Sequence, residues 1–161
     1  MNRSESDRFW SHVVKGPEPD DCWIWTGAIS DDGYGRFWIT RDGKQRAVRP
    51  QRYAHEEVTG RHLTPAVQLL HRCDNPLCVH AVADPALSHV SEGTHRTNMI
   101  DREQKNRTRN GRTALYSATQ SRAIRVQRSR TLRAVVTEFG WDRNRIAAAL
   151  AGVDQHHPHL F

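Results

Sequence analysis

The segment LLHRCDNPLCVH, residues 69–80, decides what kind of fold and site the sequence predicts. It carries two cysteines and two histidines around an Asn-Pro pair. Thiolates and imidazoles are the ligands that Zn²⁺ prefers in proteins. Cys73 and Cys78 stand in a polar stretch rich in turn-forming residues, where burial in an apolar core is not expected. The segment therefore predicts a metal site built on a loop.

The remaining cysteine, Cys22, begins the apolar segment CWIWTGAI and brings the total to three. An odd number of cysteines argues against a disulfide framework. Structural Zn²⁺ takes four tetrahedral ligands, so three thiolates and one imidazole would complete a site. The histidines near enough in sequence to supply the fourth ligand are His71, His80, His89 and His95. We favour His89, which a predicted return strand brings back to the loop, and keep His80 as the alternative.

The pattern of apolar residues and chain breakers predicts an α+β fold. An Asp-Gly pair at 42–43 predicts a hairpin between two strands, and Pro50 and Gly60 bracket a predicted helix. Trp23, Trp25, Phe37 and Trp38 are expected in the core. Strands are predicted at 22–29, 36–40, 44–48, 66–70 and 87–93, and helices at 7–14, 51–59, 95–104, 121–139 and 143–150.

Positive charge is concentrated in the C-terminal part of the chain. Residues 1–100 contain 12 Lys and Arg against 13 Asp and Glu, whereas residues 101–161 contain 12 against 5. Between Gln104 and Thr137 there is no acidic residue, while Lys105 and eight arginines fall in that range. A basic extension on a nearly neutral domain is typical of proteins that bind polyanions. A solvated basic helix, or a tail held by an acidic partner, is the alternative.

Three segments taken in order, CWIWTGAISDDGYGRF, RPQRYAHEEVTG and LLHRCDNPLC…LSHVSEGTHRTNM, resemble the zinc-stapled branch of the HNH, or His-Me finger, endonucleases. Many members of that family are phage-encoded or are homing endonucleases. The resemblance covers residues 7 to 102. It implies a small mixed β-sheet with a ββα-metal motif stapled by zinc, to which the sequence adds a helical, basic C-terminal extension.

The resemblance also implies roles for individual residues. His71 matches the general base, and Asn98 matches the ligand of a catalytic divalent ion, Mg²⁺ or another. An arginine of the central sheet helps to hold the scissile phosphate in this family, and Arg46 is our candidate with Arg52 as second choice. The segment between Cys78 and the matching histidine is longer than in the family pattern, so an inserted surface loop is expected within 79–88. The structural zinc ligands implied are Cys22, Cys73, Cys78 and His89.

The resulting hypothesis is a metal-dependent endodeoxyribonuclease or nickase that hydrolyses phosphodiester bonds. It divides the chain into a nuclease domain (1–103), a basic linker (104–120) and a helical DNA-binding extension (121–161). A non-catalytic zinc-stapled DNA-binding module and a structural RNA-binding or packaging protein are the alternatives. The arginines expected to bind DNA are Arg107, Arg109, Arg112, Arg122, Arg125 and Arg128.

The expected partner is double-stranded DNA, with a homodimer as one further option. No stretch is apolar for long enough to span a membrane, and the start MNRSESDRFW has no apolar core of a secretory signal. We therefore expect no membrane association and a cytoplasmic location, which for a phage-encoded protein is the host cytoplasm.

Overall fold

The computed structural model describes residues 4–104 and 112–152, apart from the side chains of Arg102 and of residues 112–120. Within these residues the chain combines five helices with six short strands. The helices are α1 (Glu5–Trp10), α2 (Pro50–Thr59), α3 (His95–Gln104), α4 (Arg112–Phe139) and α5 (Arg143–Ala151), and the strands are β1 (Val13–Lys15), β2 (Trp23–Trp25), β3 (Phe37–Arg41), β4 (Lys44–Val48), β5 (Gln68–His71) and β6 (Val90–Gly93).

The α+β class is confirmed, but the strands form no single mixed sheet among the described residues. Each pairs with its neighbour in sequence, giving three two-stranded antiparallel sheets, β1–β2, β3–β4 and β5–β6. The short connection between β3 and β4 requires an antiparallel pair, since a parallel pair needs a long crossover. In the β3–β4 hairpin, Asp42 and Gly43 have φ of 53° and 71°, as a two-residue turn matched to the strand twist requires.

The predicted helix at 7–14 is wrong in its second half. A capping box at Ser4 begins α1, which ends at Trp10. Val13 and Val14 instead extend into β1, where Val13 pairs with Trp25 of β2. The helical spacing of these apolar residues gave no sign of this strand, because its partner lies twelve residues away in sequence.

The core is centred on an aromatic cluster around Phe9, which is fully buried. Its ring centroid lies 5.2 Å from those of Trp25 and Phe37 and 4.5 Å from that of Tyr53 in α2. Trp38 was expected in this core but is 43 % exposed. Successive strand residues point to opposite faces, so Phe37 faces the core and Trp38 faces outward.

The C-terminal helices pack onto the same core. Leu132 and Val136 of α4 and Ile146 of α5 are buried within the cluster that contains Phe9. The indole of Trp141, between the two helices, donates a hydrogen bond of 3.0 Å to the carbonyl of Cys22. Of the segment assigned to the basic linker, residues 105–111 lie outside the described part, as do residues 153–161 of the extension.

The third sheet carries the long loop that contains two of the cysteines. β5 ends at His71, the loop follows over residues 72–89, and β6 leads into α3. Thr94 precedes α3, and its hydroxyl accepts a hydrogen bond of 3.2 Å from the main-chain N–H of Thr97. This side-chain cap satisfies one of the N–H groups that have no partner within the first turn of the helix. The antiparallel register pairs Gly93, just before α3, with Gln68 at the start of β5, so α3 begins beside that end of the strand.

Candidate metal centre and adjoining cleft

Three thiols and one imidazole meet beside β2 and the 72–89 loop. The Sγ atoms of Cys22, Cys73 and Cys78 and a ring nitrogen of His89 all lie within 4.8 Å of one another. Nδ1 of His89 lies 3.5 Å from Sγ of Cys22 and 3.5 Å from Sγ of Cys78. These are the four residues for which the sequence predicted a shared metal site.

The spacing of these atoms suits a tetrahedral zinc ion. Zn–S bonds of about 2.3 Å and Zn–N bonds of about 2.05 Å, at the tetrahedral angle, place sulfur and nitrogen about 3.6 Å apart. The two measured separations between Nδ1 and Sγ are 3.5 Å. The donor set of three thiols and one imidazole is also one that zinc takes in structural sites. The residues present therefore fit a structural zinc ion.

Backbone pairing between β2 and the loop brings Cys22 to the other two thiols. The main-chain N–H of Trp25 donates to the carbonyl of Leu77, and that of Val79 donates to the carbonyl of Trp23, both at 2.8 Å. The loop itself is turned by Asn75, whose side-chain oxygen accepts from the N–H of Leu77 at 3.0 Å. Cys22 and Cys78 are thereby held on two adjacent stretches of backbone.

His80, the alternative ligand, is not part of this group. It is 1 % exposed, its Nδ1–H donates to the carbonyl of Asp21 at 2.6 Å, and its ring stacks on Trp23 with centroids 4.4 Å apart. The expected insertion within 79–88 is accordingly a surface loop only in part. Val79, His80 and Ala81 are buried, whereas residues 83–87 are exposed.

The imidazole of His89 is also held from its outer side. Nε2 lies 3.4 Å from a carboxylate oxygen of Asp20, and Arg72 forms an ion pair with the same carboxylate. Metal-binding histidines commonly donate their second ring N–H to a carboxylate, which fixes the orientation of the ring. Asp20 and Arg72 therefore act as outer supports of the site.

The three thiols perturb one another's protonation. Hydrogen bonds donated by Cys22 and Cys78 lower the pKa of Cys73. The hydrogen bond that Cys22 donates to Cys73 raises the pKa of the Cys22 thiol to about 12. Burial raises the pKa of the Cys78 thiol. A bound zinc ion requires thiolates, so its binding releases protons from the Cys22 and Cys78 thiols.

A cleft of about 520 Å³ adjoins the metal centre, and two of the three predicted catalytic residues, His71 and Asn98, line it. His71 reaches it from the end of β5 and Asn98 from α3. Arg46, our first choice for the phosphate contact, is not among the lining residues; it is exposed on β4 opposite Ile39. The complete lining is Tyr34, Arg49, Gln51, Arg52, Val67, Gln68, Leu69, Leu70, His71, Asp74, Pro76, Asn98 and Asp101.

The ring of His71 is oriented by the cysteine loop. Its Nε2 lies 2.9 Å from the main-chain carbonyl oxygen of Cys78. A carbonyl only accepts hydrogen bonds, so Nε2 carries the proton and Nδ1 is the basic nitrogen of the neutral ring. The backbone of one metal-site cysteine thus sets the tautomer of the histidine in the cleft.

Two arginines on the α2 side of the cleft have different surroundings. Arg52 donates to the carbonyls of Leu63, Thr64 and Val67 at 2.6 to 3.0 Å, so its guanidinium holds the segment before β5. Arg49 makes two hydrogen bonds, of 3.1 and 2.5 Å, to the carboxylate of Asp32. Burial raises the pKa of Asp32, but these hydrogen bonds outweigh burial and the pKa is lowered.

The cleft residues that were not predicted from the sequence include Arg49, Gln51, Asp74 and Asp101. Asp101 stands three residues after Asn98 in α3, and residues at that spacing share a helix face, so the sequence held a signal for it. Arg49 and Gln51, at the start of α2, reach the cleft only through the tertiary packing of that helix. Nothing local in the sequence marks that packing.

The arginines predicted to bind DNA are described only in part. Arg107 and Arg109 lie outside the described residues, and Arg112 is in α4 but its side chain is not described. Arg122 pairs with Asp31, Arg125 donates to the carbonyl of Asp32 at 2.6 Å, and Arg128 lies 3.4 Å from the carbonyl of Ala151. The described part of the basic segment is thus tied to the fold through several of its guanidinium groups.

Comparison with known proteins identifies relatives in a phage. The chain is 35 % identical over 110 residues to protein 7.7 of Escherichia phage T7, an alignment that covers 68 % of this chain and 76 % of the relative. It belongs to the family of T7 protein 7.7. Protein 2.8 of the same phage is 34 % identical over 90 residues, which is 56 % of this chain and 55 % of that protein.

The names of the two T7 proteins state no activity, so the relationship alone assigns none to this member of the 7.7 family. No model of a known protein family matches the chain, and no solved structure does. Among the described residues, no helix has the length and apolar character needed to cross a membrane.

Proposed function

We propose that the protein is a metal-dependent DNA endonuclease or nickase of the HNH type, with its reaction in the cleft beside the zinc centre. The observation that carries the proposal is that His71 and Asn98 line one cleft, with His71 held by the cysteine loop. These two residues were assigned complementary roles from the sequence. A protein that only binds DNA has no need for either of them to face such a cleft.

His71 is the general base in this proposal. The hydrogen bond from Nε2 to the Cys78 carbonyl leaves Nδ1 as the proton-accepting nitrogen. An imidazole, whose ordinary pKa is about 6.5, is suited to removing a proton from water near neutral pH. The rigid loop on one side and β5 on the other keep the ring in one orientation, which supports proton transfer from a positioned water.

Asn98 is the proposed ligand of the catalytic divalent ion. Asn98 and Asp101 both line the cleft from α3, and amide and carboxylate oxygens are hard donors. Oxygen donors of this kind suit Mg²⁺, which retains water and phosphate oxygens in its other positions. When bound, such an ion would stabilise negative charge on the phosphate and on the leaving oxygen. The cysteine site is chemically distinct and would serve as a structural staple.

Nucleic acid binding is proposed for the basic C-terminal part of the chain. Arg122, Arg128 and Arg130 are exposed on α4, and the acid-free stretch from Gln104 to Thr137 continues before them. Phosphate neutralisation by such cations contributes affinity without sequence preference. The cleft would then act on DNA that is held by a separate surface.

Supercoiled plasmid incubated with the zinc-loaded protein, with and without Mg²⁺, tests the proposal. We expect relaxed or linear DNA only when Mg²⁺ is present, and the product distinguishes a nickase from an enzyme that cuts both strands. Binding of the plasmid without any cleavage, across several divalent ions, would favour the non-catalytic zinc-stapled module instead.

A further inference from the structure

The N-terminal end of α2 opens on the same cleft as His71. α2 contains ten residues, Pro50–Thr59, and Arg49 is its N-cap, with no side-chain hydrogen bond capping the helix. The macrodipole makes a helix N-terminus favourable for negative charge, although in α2 the N–H groups of Arg52 and Tyr53 already donate to the carbonyl of Arg49. Arg49 and Gln51, one on each side of Pro50, both line the cleft.

Gln51 provides an independent indication of a ligand. Its side chain belongs to a residue that is only 7 % exposed, and it makes no hydrogen bond with any residue in the described parts of the chain. The amide atoms themselves are not fully enclosed, because the buried side-chain polar atoms without a partner among the described residues are Nδ2 of Asn75 and Oγ of Ser129. The remaining exposure of Gln51 is toward the cleft that it lines. A group bound in the cleft would therefore satisfy the amide.

Arg49 adds a positive charge in a fixed orientation. Two of its five N–H groups are engaged by the carboxylate of Asp32, at 3.1 and 2.5 Å, and its guanidinium carbon lies 5.1 Å from the centre of the Tyr34 ring. The planar guanidinium retains further donors, and its geometry matches phosphate oxygens. The ion pair with Asp32 orients these donors before any ligand arrives.

Charge is divided between the two sides of the cleft. The cations, Arg49 and Arg52, come from α2 and the residue before it, whereas the acids, Asp74 and Asp101, come from the cysteine loop and α3. Arg52 donates to three main-chain carbonyls and lies 3.5 Å from a carboxylate oxygen of Glu56, so its guanidinium is held in place and its charge is partly compensated. An anion is favoured on the α2 side, and a cation on the side of Asp101.

We propose that the N-terminal end of α2, together with the side chains of Arg49 and Gln51, is a phosphate-binding subsite of the cleft. The amide of Gln51 and the remaining N–H groups of Arg49 donate to non-bridging phosphate oxygens. That the phosphate belongs to a nucleic acid strand rests on the proposed function, whereas binding of the anion does not. In a complex with nucleic acid, the subsite fixes the position of the nucleic acid strand, as phosphate contacts generally do.

Titration of the full-length, zinc-loaded protein with inorganic phosphate, followed by ¹H–¹⁵N NMR, tests the subsite directly. We expect saturable shifts of the Gln51 side-chain amide, and none with chloride at equal ionic strength. Gln51→Glu places a like charge against the anion and should abolish saturation. Gln45→Glu, an equal charge change on the exposed strand β4, should leave it intact. Absence of saturable shifts, or unchanged binding by Gln51→Glu, would overturn the proposal.

Binding to a short DNA duplex provides a second readout. Loss of one phosphate contact makes the negative slope of log K against log salt shallower by about 0.9, and we expect this change for Arg49→Gln. Arg61→Gln, just beyond the C-terminal end of α2, is the matched control and should retain the wild-type slope. An unchanged slope in Arg49→Gln contradicts the subsite. If phosphate binds at Gln51 but plasmid is never cut, the subsite stands and the proposed nuclease function fails.

Discussion

Nε2 of His71 donates a hydrogen bond of 2.9 Å to the carbonyl oxygen of Cys78, which joins the cleft to the candidate metal centre. The side chain of Cys78 faces the other thiols while its backbone holds the imidazole. Cys78 therefore belongs to the candidate metal centre through its thiol and orients His71 through its main-chain carbonyl. Removing the metal that the thiols hold should loosen the orientation of His71, even though the two sites share no side chain.

The first prediction concerns metal content. We expect one zinc ion per chain by elemental analysis of the purified protein. His89→Gln and Cys73→Ser should lose the metal, because each removes one of four ligands, whereas His62→Gln should keep it, since that side chain is 81 % exposed and distant in sequence from the cluster. Structural zinc contributes on the order of 10 kcal/mol to the folding of small modules, so the two ligand variants should also be largely unfolded.

Retention of a full equivalent of zinc by both His89→Gln and Cys73→Ser would show that the ion binds elsewhere. Unfolding monitored by circular dichroism, with and without a zinc chelator, completes the measurement. The chelator should lower the melting temperature of the wild-type protein and have little further effect on the ligand variants.

The second prediction concerns the basic segment. Truncation after α3 is not a clean test, because Leu132 and Val136 of α4 belong to the core. Replacing Arg107, Arg109, Arg122 and Arg128 together by Gln keeps the core. If all four neutralise phosphates, the slope of log K against log salt should become shallower by about 3.6. Titrations of a DNA duplex at several salt concentrations measure this slope. An unchanged slope would show that these four arginines do not neutralise DNA phosphates.

The third prediction follows from the lowered pKa of Asp32. A carboxyl whose pKa is depressed in the folded chain stabilises that chain above its unfolded pKa of about 3.9. This contribution is lost as the pH falls through the folded value. Asp32→Asn should therefore be less stable than the wild type at pH 7, and the two should converge as the solution is acidified.

Chemical denaturation at several pH values gives the difference in free energy of unfolding between the two proteins. Asp42→Asn is the matched control, since Asp42 is exposed in the β3–β4 turn. Its difference from the wild type should be small and nearly independent of pH. A pH-independent difference for Asp32→Asn would mean that its ion pair with Arg49 contributes nothing to folding.

How far the sequence could predict the structure depends on how local the signals are. The β3–β4 hairpin follows from Asp42 and Gly43, and α2 from Pro50 and Gly60, because turn and cap residues act within a few positions of themselves. Val13 and Trp38 were misplaced because strand pairing and burial depend on partners that are far away in sequence. The same reason explains why Gln51 was missed.

The candidate site shows a similar division. Cys22, Cys73, Cys78 and His89 could be grouped in advance because zinc restricts ligand type and number severely. Arg46 was chosen for its position after a turn, yet the arginines that line the cleft are Arg52, the second choice, and Arg49. Which of several arginines faces a cleft is decided by tertiary packing. No spacing rule in a single sequence supplies that information.

The fourth prediction concerns Asn98. Asn98→Ala should lower the cleavage rate, because the proposed ion loses an oxygen ligand, and excess Mg²⁺ should restore part of it, since water can replace an amide oxygen. Asn144→Ala, at an exposed position of α5, is the control and should cut normally. Rates measured across a Mg²⁺ titration would contradict the assignment if Asn98→Ala needed no more Mg²⁺ than the wild type.

Cleavage of supercoiled plasmid by His71→Ala, beside a binding assay on the same DNA, tests the central claim most directly. Loss of a positioned general base costs about 10²- to 10⁴-fold in rate, so we expect that decrease with DNA affinity and zinc content unchanged, and with no rescue by added Mg²⁺. His62→Ala should cut normally. If the wild-type protein cuts and His71→Ala cuts at the same rate, the cleft beside the zinc centre is not where the phosphodiester bond is broken.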